Sequence, residues 1–425
     1  MNCKLLHSQF VRNSGTLLTG NVVAQGVAFL AYLVLCRFFT PEDFALYNIF
    51  YSYIEVLIIL STCKYELAIV VADNDDEAAR LTRLTLRLNT CVSLLLLTVA
   101  LVLTLLHLQP SSLPSTLVLL IPFMVFFCGT TRVYTFFYNR YHHYRTIATS
   151  EVVTSLSGTF LKILFGLLNG TLQLLHTLGL PVGTILGKVA GNIYMRRHAH
   201  VGHASLSRQE SRRLMSAHRN FPLYVMPKDF VSSFSANLPF MLLSIYFNDT
   251  VIGLFGLALT FTSRPVNILA NAFEKVFYAS SNEKMAQRQP LLHDILRFMA
   301  ILNAVALPVA AVGFFYAEPL FTFLFGEKWI GTGYYVRCVI PWLWVLLNAN
   351  SLMFVANIFS TQRIDFFFQL AQLLLRVTAL YIGIQRHNFN LAILLFCAVS
   401  TLVQLFQLAW YLHQLRKYEK AIGDW

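Results

Sequence analysis

Charge is scarce in this chain. Only 12% of its 425 residues are Asp, Glu, Lys or Arg, against about 25% in ordinary soluble domains. That shortage excludes a disordered polar chain and an ordinary water-soluble enzyme. Paired cysteines are also lacking. The seven cysteines (Cys3, Cys36, Cys63, Cys91, Cys128, Cys338, Cys397) are scattered with no CxxC pair, which argues against a zinc site, a redox pair or a disulfide scaffold. No complete phosphate loop is present. GTILGKV, around Lys188, has only three residues between its glycines and Val189 after the lysine, so it fails the P-loop pattern. A chain driving transport by its own nucleotide hydrolysis is therefore not expected, and no cofactor is implied.

Apolar sequence fills the space, at 56% of residues. A helix needs about 20 apolar residues to cross roughly 30 Å of hydrocarbon. Twelve such runs are legible, at about 14–36, 44–63, 88–107, 114–135, 147–168, 172–194, 226–247, 251–273, 292–316, 334–357, 364–384 and 390–412. The first follows Lys4 and Arg12 but is too long for a signal-peptide core. The expected fold is an all-α membrane protein with about twelve transmembrane helices in two six-helix bundles. Residues 1–194 would form the first bundle, 195–225 a basic linker and 226–425 the second bundle.

The net charge of +12 is accounted for by topology rather than by nucleic acid. With the N-terminus placed inside, 24 of the 32 Lys and Arg fall in inner segments, 4 in outer ones and 4 within spans. Such a bias places both termini in the cytoplasm. The outer loops are short, which disfavours a glycan polymerase or ligase working outside. The two halves also resemble one another. At an offset of 208, Phe39 meets Phe247, Ala45 meets Gly253, Leu46 meets Leu254 and Tyr47 meets Phe255. Internal repeats of this kind are common in secondary transporters.

Charge inside a span is costly and marks function or an internal partner. Arg132, Lys162, Lys188, Arg264 and Arg376 are candidates for a cationic cavity that binds an anionic group. Glu55, Lys64 and Glu66 are candidates for ion coupling or for salt bridges. Gly183, Gly187 and Gly191 recur every fourth residue and predict close helix packing. His198, His200 and His203 in the linker have no Cys or acidic ligand nearby, so no metal site is expected. Asn169–Thr171 and Asn248–Thr250 match a glycosylation triplet that has no meaning in a bacterial chain.

RFFTPEDFALYNIF, KYELAIVVADNDDEAARL, FPLYVMPKDFVSSFSANLPFMLLSIYFNDTVIGLFGLAL and LFGEKWIGTGYYVRCVIPWLW occur in this order. Together they resemble the polysaccharide transporter family, the flippases of O-antigen and related lipid-linked oligosaccharides. That family belongs to the multidrug/oligosaccharidyl-lipid/polysaccharide (MOP) superfamily with the MATE exporters. The resemblance implies two six-helix bundles around a cavity open to one side at a time. It implies an undecaprenyl-pyrophosphate-linked oligosaccharide as substrate, moved across a bacterial inner membrane and driven by an ion gradient, H+ or Na+. The implied partners are that lipid-linked substrate, the coupling ion, membrane lipid, and the polysaccharide polymerase and chain-length machinery. A MATE-like exporter of small cations is the alternative.

Overall fold

Thr40 and Pro41 open the second span in a way the sequence dictates. Thr40 accepts from the Asp43 backbone N–H, and the Asp43 carboxylate takes the Thr40 N–H in return, at 2.8 Å. Pro41 occupies the first turn, where its missing N–H costs nothing. The same reciprocal cap recurs at Ser207 and Glu210. Asn74 caps the next long helix by accepting from Glu77 N–H.

In the computed structural model the described residues are 26, 29–168, 174–199, 206–286, 289–359 and 361–423. They form helices and turns with no strand among them. In order, the first half holds α1 (Phe29–Phe38), α2 (Pro41–Thr62), α3 (Glu66–Val71), α4 (Asp75–Leu105), α5 (Ser115–Arg140) and α6 (Tyr144–Leu168). It continues with α7 (Leu174–His198), α8 (Arg208–Ala217) and, after a π-helical turn at Phe221–Val225, α9 (Met226–Leu243). The second half holds α10 (Asp249–Ala286), α11 (Leu292–Phe315), α12 (Ala317–Phe325) and α13 (Thr332–Ser351), then α14 (Phe354–Ile358), α15 (Gln362–Gln385) and α16 (Phe389–Gly423).

The eleven expected spans from 44–63 onward fall on helices, and of the first, at 14–36, most lies outside the described residues. Nine described helices are long and apolar enough to cross a membrane. α1 is described only over a short apolar stretch, while α7 and α9 fall short of that measure. Exposed apolar side chains such as Leu94, Leu95 and Val102 on α4, or Val305 and Val309 on α11, are the lipid-facing surface of such a fold. Single prolines sit inside α5, α7, α9, α10, α11 and α13. Neighbouring helices can satisfy the backbone groups these prolines free.

The structure corrects the expected boundaries in two ways. α4 begins at Asp75, well before the apolar run at 88, and α10 and α16 likewise continue beyond their apolar runs. The Asn74 cap and the acidic first turn start α4 in polar sequence, whereas α10 and α16 run on at their C-terminal ends. Conversely, the run 334–357 is interrupted between Ser351 and Phe354, so it becomes α13 and α14.

Two compact units emerge, Met1–Ile245 and Tyr246–Trp425. α9, which the apolar pattern assigns to the second bundle, is thus grouped with the first unit, where it packs along α2. The core of unit 1 gathers Ile69, Leu81, Val133, Tyr138, Met195 and Leu214 at the end where the basic loops lie. Unit 2 has its own core around Phe277, Ile295, Leu352, Phe354 and Tyr411. The internal repeat is visible in the backbone: α2 starts at Pro41 and α10 at Asp249, the same offset of 208 as the sequence match.

Candidate functional site

One face of α2 carries Asp43, Tyr47, Tyr51 and Glu55 at four-residue intervals. Helical geometry places these on a single stripe. α7 answers with His176, Thr184 and Lys188, also at multiples of four. The contacts run in register. His176 Nδ1 is 3.5 Å from Asp43 Oδ2. Thr184 Oγ1 donates to Tyr47 OH at 3.2 Å. The rings of Tyr47 and Tyr51 lie 6.0 Å apart, centroid to centroid. Further along, Glu55 continues the stripe of α2, Lys188 that of α7, and Arg132 lies on α5, which packs against both helices. Glu55 is exposed, and Lys188 and Arg132 are half-buried.

Lys162 joins this column from α6. Its ammonium stands over the Tyr47 ring, 5.2 Å from the centroid, a cation–π contact. The helix packing predicted from the glycines makes room for it. A Cβ on Gly183 would lie 2.6 Å from Lys162 Cγ, and one on Gly187 would lie 2.7 Å from Gly158 Cα. Gly191 similarly abuts Thr154. The glycine row therefore lets α6 and α7 approach until the stem of Lys162 lies across α7.

Arg132 and Glu66 form the next level. Arg132 Nε is 3.6 Å from Glu66 Oε1, and the glutamate side chain is 1% exposed. Both Glu66 oxygens and Arg132 Nη1 are buried with no hydrogen-bond partner. The pair is thus held by charge at a distance too long for a hydrogen bond, and the guanidinium keeps unused donors. Lys64 is reached by a turn in which Cys63 and Lys64 have φ of 48° and 61°. This left-handed pair, uncommon for residues with a Cβ, turns the buried Lys64 onto Asp229 of α9 in an ion pair. Ser233, one turn on, donates to the Glu55 carbonyl at 3.0 Å.

Thus the structure brings Glu55, Lys64, Glu66, Arg132, Lys162 and Lys188 into one column in unit 1. Arg264 and Arg376 belong to unit 2. Arg264 is half-buried on α10 of unit 2. Arg376 is 3% exposed inside unit 2. Its Nε donates to Ser400 Oγ at 2.8 Å, and its guanidinium lies 5.2 Å from the Trp342 ring and 4.6 Å from that of Phe396. The column also contains Asp43, Tyr47, Tyr51, His176, Thr184 and Asp229, which a search for charge inside spans passed over. The four-residue spacing on α2 was the available signal for the tyrosines.

Among the described residues no group of His, Cys, Asp and Glu is placed to hold a metal ion. His198 Nδ1 lies 2.8 Å from the Tyr194 carbonyl. His200, His203 and the triplet at Asn169–Thr171 lie outside the described residues. Asn248 spends its side chain on Thr250, accepting from its N–H at 2.9 Å.

Comparison with known structures places the fold. A lipid II flippase MurJ in an inward closed conformation superposes with a TM-score of 0.75 at 10% identity, covering 96% of this chain and 90% of that one. An inward-facing multidrug resistance MATE family transporter of the MOP superfamily gives 0.68 at 15%, covering 93% and 96%. A MOP superfamily transporter from Pyrococcus furiosus, described as having a binding pocket of reverse polarity that suggests a different function, gives 0.55 at 15%, covering 96% of each. No curated protein sequence matches the chain. A family model described as polysaccharide biosynthesis protein matches residues 34–334. The chain therefore belongs to that polysaccharide biosynthesis family, as an all-helical membrane protein with the fold of the MOP-superfamily transporters.

Proposed function

We propose that this protein is a flippase for lipid-linked oligosaccharide. It would carry an undecaprenyl-pyrophosphate-linked repeat unit across a bacterial inner membrane, with the loops rich in Lys and Arg facing the cytoplasm. One observation carries the reading: the column in unit 1, where Lys162, Lys188 and Arg132 stand beside the Tyr47–Tyr51–Glu55 stripe of α2. A pyrophosphate needs cationic hydrogen-bond donors while it leaves water. Arg132 supplies donors that Glu66 does not engage. Tyrosine rings and hydroxyls beside the lysines offer stacking and hydrogen bonds to sugar. The polyprenyl tail needs no cavity, because it is soluble in the bilayer. Alternating access powered by an ion gradient is the corresponding mechanism, and the exposed Glu55 is the column's candidate for coupling.

Glu55 is also the observation that favours a second reading, a cation-coupled exporter of small molecules. An exposed carboxylate within a span suits a cationic substrate, whereas Lys162 and Lys188 oppose it.

The test is lipid analysis of cells lacking the protein, complemented with the intact chain or with Lys188→Ala. Accumulated undecaprenyl-pyrophosphate oligosaccharide and lost surface glycan, rescued by the intact chain but not by the variant at equal membrane level, would support the flippase. Unchanged lipid-linked sugar and intact surface glycan, with no second flippase present, would move the assignment to the exporter.

A further inference from the structure

Among the described residues, the short helix α8 is fixed to unit 1 by one face. Glu210 accepts from Arg80 at 3.1 Å, Leu214 is buried in the core of unit 1, and His218, just past the helix, lies 3.2 Å from Glu77. These positions recur every four residues, so they define the inner face. Tyr65 OH adds a hydrogen bond to the Met215 carbonyl at 3.1 Å. The opposite face carries Arg208 and Arg212 with Met215 beside them, Arg213 lies at its edge three residues from Glu210, and Arg219 follows in the turn past the helix. All four arginines are exposed. The one acid on this helix, Glu210, is engaged by Arg80 and by the Ser207 cap. The outer face is therefore a concentrated positive patch.

Its level along the bundle is set by α4. Arg87 Nη1 donates to the Leu206 carbonyl at 3.0 Å, which ties the start of this segment to α4. Arg87 is seven residues, about 10 Å at 1.5 Å per residue, from the exposed Leu94 and Leu95 of that helix. Charged groups one to two turns from lipid-facing leucines stand where headgroups lie. Beyond α8 the chain turns Leu223 and Tyr224 outward, at 59% and 71% exposure. Exposed apolar side chains next to an arginine face are the pattern of an interfacial helix.

We propose that the outer face of α8 is a contact site for anionic phospholipid headgroups, of the phosphatidylglycerol type. Its arginines take the lipid phosphates, and Leu223 and Tyr224 enter the acyl boundary beside them. A dissolved phosphate compound would satisfy the arginines equally well but would leave the two apolar side chains in water.

The test uses the purified full chain, stripped of lipid in detergent and titrated with phosphatidylglycerol or phosphatidylcholine, with retained lipid counted by native mass spectrometry. The intact chain should prefer phosphatidylglycerol. Replacing the four arginines (R208Q/R212Q/R213Q/R219Q) should lower that preference about fivefold or more, since each basic side chain near an anionic surface contributes roughly that factor. The lysine version (R208K/R212K/R213K/R219K) should keep the preference, which separates loss of charge from damage to the fold. An unchanged preference in the glutamine version would overturn the proposal. So would full displacement of phosphatidylglycerol by an equal concentration of inorganic pyrophosphate, which would assign the patch to a soluble phosphate instead.

Discussion

Removing Arg132 should leave Glu66 as a buried carboxylate without its counter-charge. At 3.6 Å, two unit charges attract by about 4–5 kcal/mol at an effective dielectric constant of about 20. Not all of that is realised. The Arg132 side chain is 32% exposed, so water screens it, and the separation forgoes a hydrogen bond. Breaking a fully buried pair costs about 3–5 kcal/mol; exposure of one partner lowers this to roughly 2–3 kcal/mol. For a unit of this size that is a fall of about 4–12 °C in Tm. The assay is thermal unfolding in detergent, followed by size-exclusion chromatography, for the single variants and the double. Arg132→Ala should melt earliest. Glu66→Gln added to it should restore more than half of the loss, because the orphaned charge is then gone. A double variant as unstable as Arg132→Ala would refute the account of the pair as one unit.

The same cycle separates structure from transport. If Arg132 serves only to neutralise Glu66, the double variant regains surface glycan along with its stability. If Arg132 also engages the substrate phosphate, as proposed, the double variant is stable and remains defective.

Four further outcomes follow from the geometry. Gly187→Val should destabilise the α6–α7 contact by about 1–3 kcal/mol, whereas Gly26→Ala, with nothing within 4 Å of the added carbon, should be silent in the same melting assay. Asp229→Asn should cost more stability than Lys64→Gln, because Lys64 is the buried partner at 9% exposure against 36% for Asp229; equal losses would contradict this asymmetry. Hydrogen bonds from the Ser207 backbone and side chain hold the Glu210 carboxyl below its ordinary value of 4.5. Its contribution to docking α8 is thus complete above that pH and fades as the pH falls through the lowered value, which hydrogen exchange of 207–218 should follow. Glu55→Gln should change the pH dependence of transport if Glu55 couples the ion, and an unaltered profile would restrict it to a structural role.

The helices were legible because lipid requires long apolar runs: among the described residues ten of the runs each lie on one helix and 334–357 lies on two, while most of the run at 14–36 lies outside the described residues. Their ends were less so. No continuous apolar run marks residues 75–87, where Ala78, Leu81 and Leu84 are spaced among charges, yet Asn74 caps a helix there and those apolar residues pack into the core. The interruption after Ser351 falls within an unbroken apolar run. Charge within spans pointed to Lys162, Lys188 and Arg132, which lie in unit 1, and equally to Arg376 in unit 2, whose surroundings are set by residues distant in sequence. Trp342, Phe396 and Ser400 meet it only through packing of α13, α15 and α16, which periodicity along one helix does not reveal. Tyr47 and Tyr51 carry no charge and so escaped a search based on charge, although their spacing to Glu55 was in plain view.

The internal repeat sharpens the contrast between the two units. Tyr47 and Phe255 occupy equivalent places, each six residues into its helix. In unit 1 the ring receives the Lys162 ammonium and the Thr184 hydroxyl. In unit 2 the ring packs against Tyr335 and Phe389, at 6.1 and 6.4 Å. Two buried polar clusters of unit 2 are partnered internally: Gln407 and Tyr411 donate to Asp365 at 2.6 and 2.9 Å, and Arg376 donates to Ser400. A charge buried with its partners contributes to packing and is costly to remove. A charge left half-exposed beside polar rings is available to a ligand. On this ground Arg376→Ala should lower Tm and reduce the protein in the membrane. Lys188→Ala should leave both unchanged and abolish transport. The reverse pattern, a stable Arg376→Ala that fails to transport beside a fully active Lys188→Ala, would move the substrate path out of the unit 1 column.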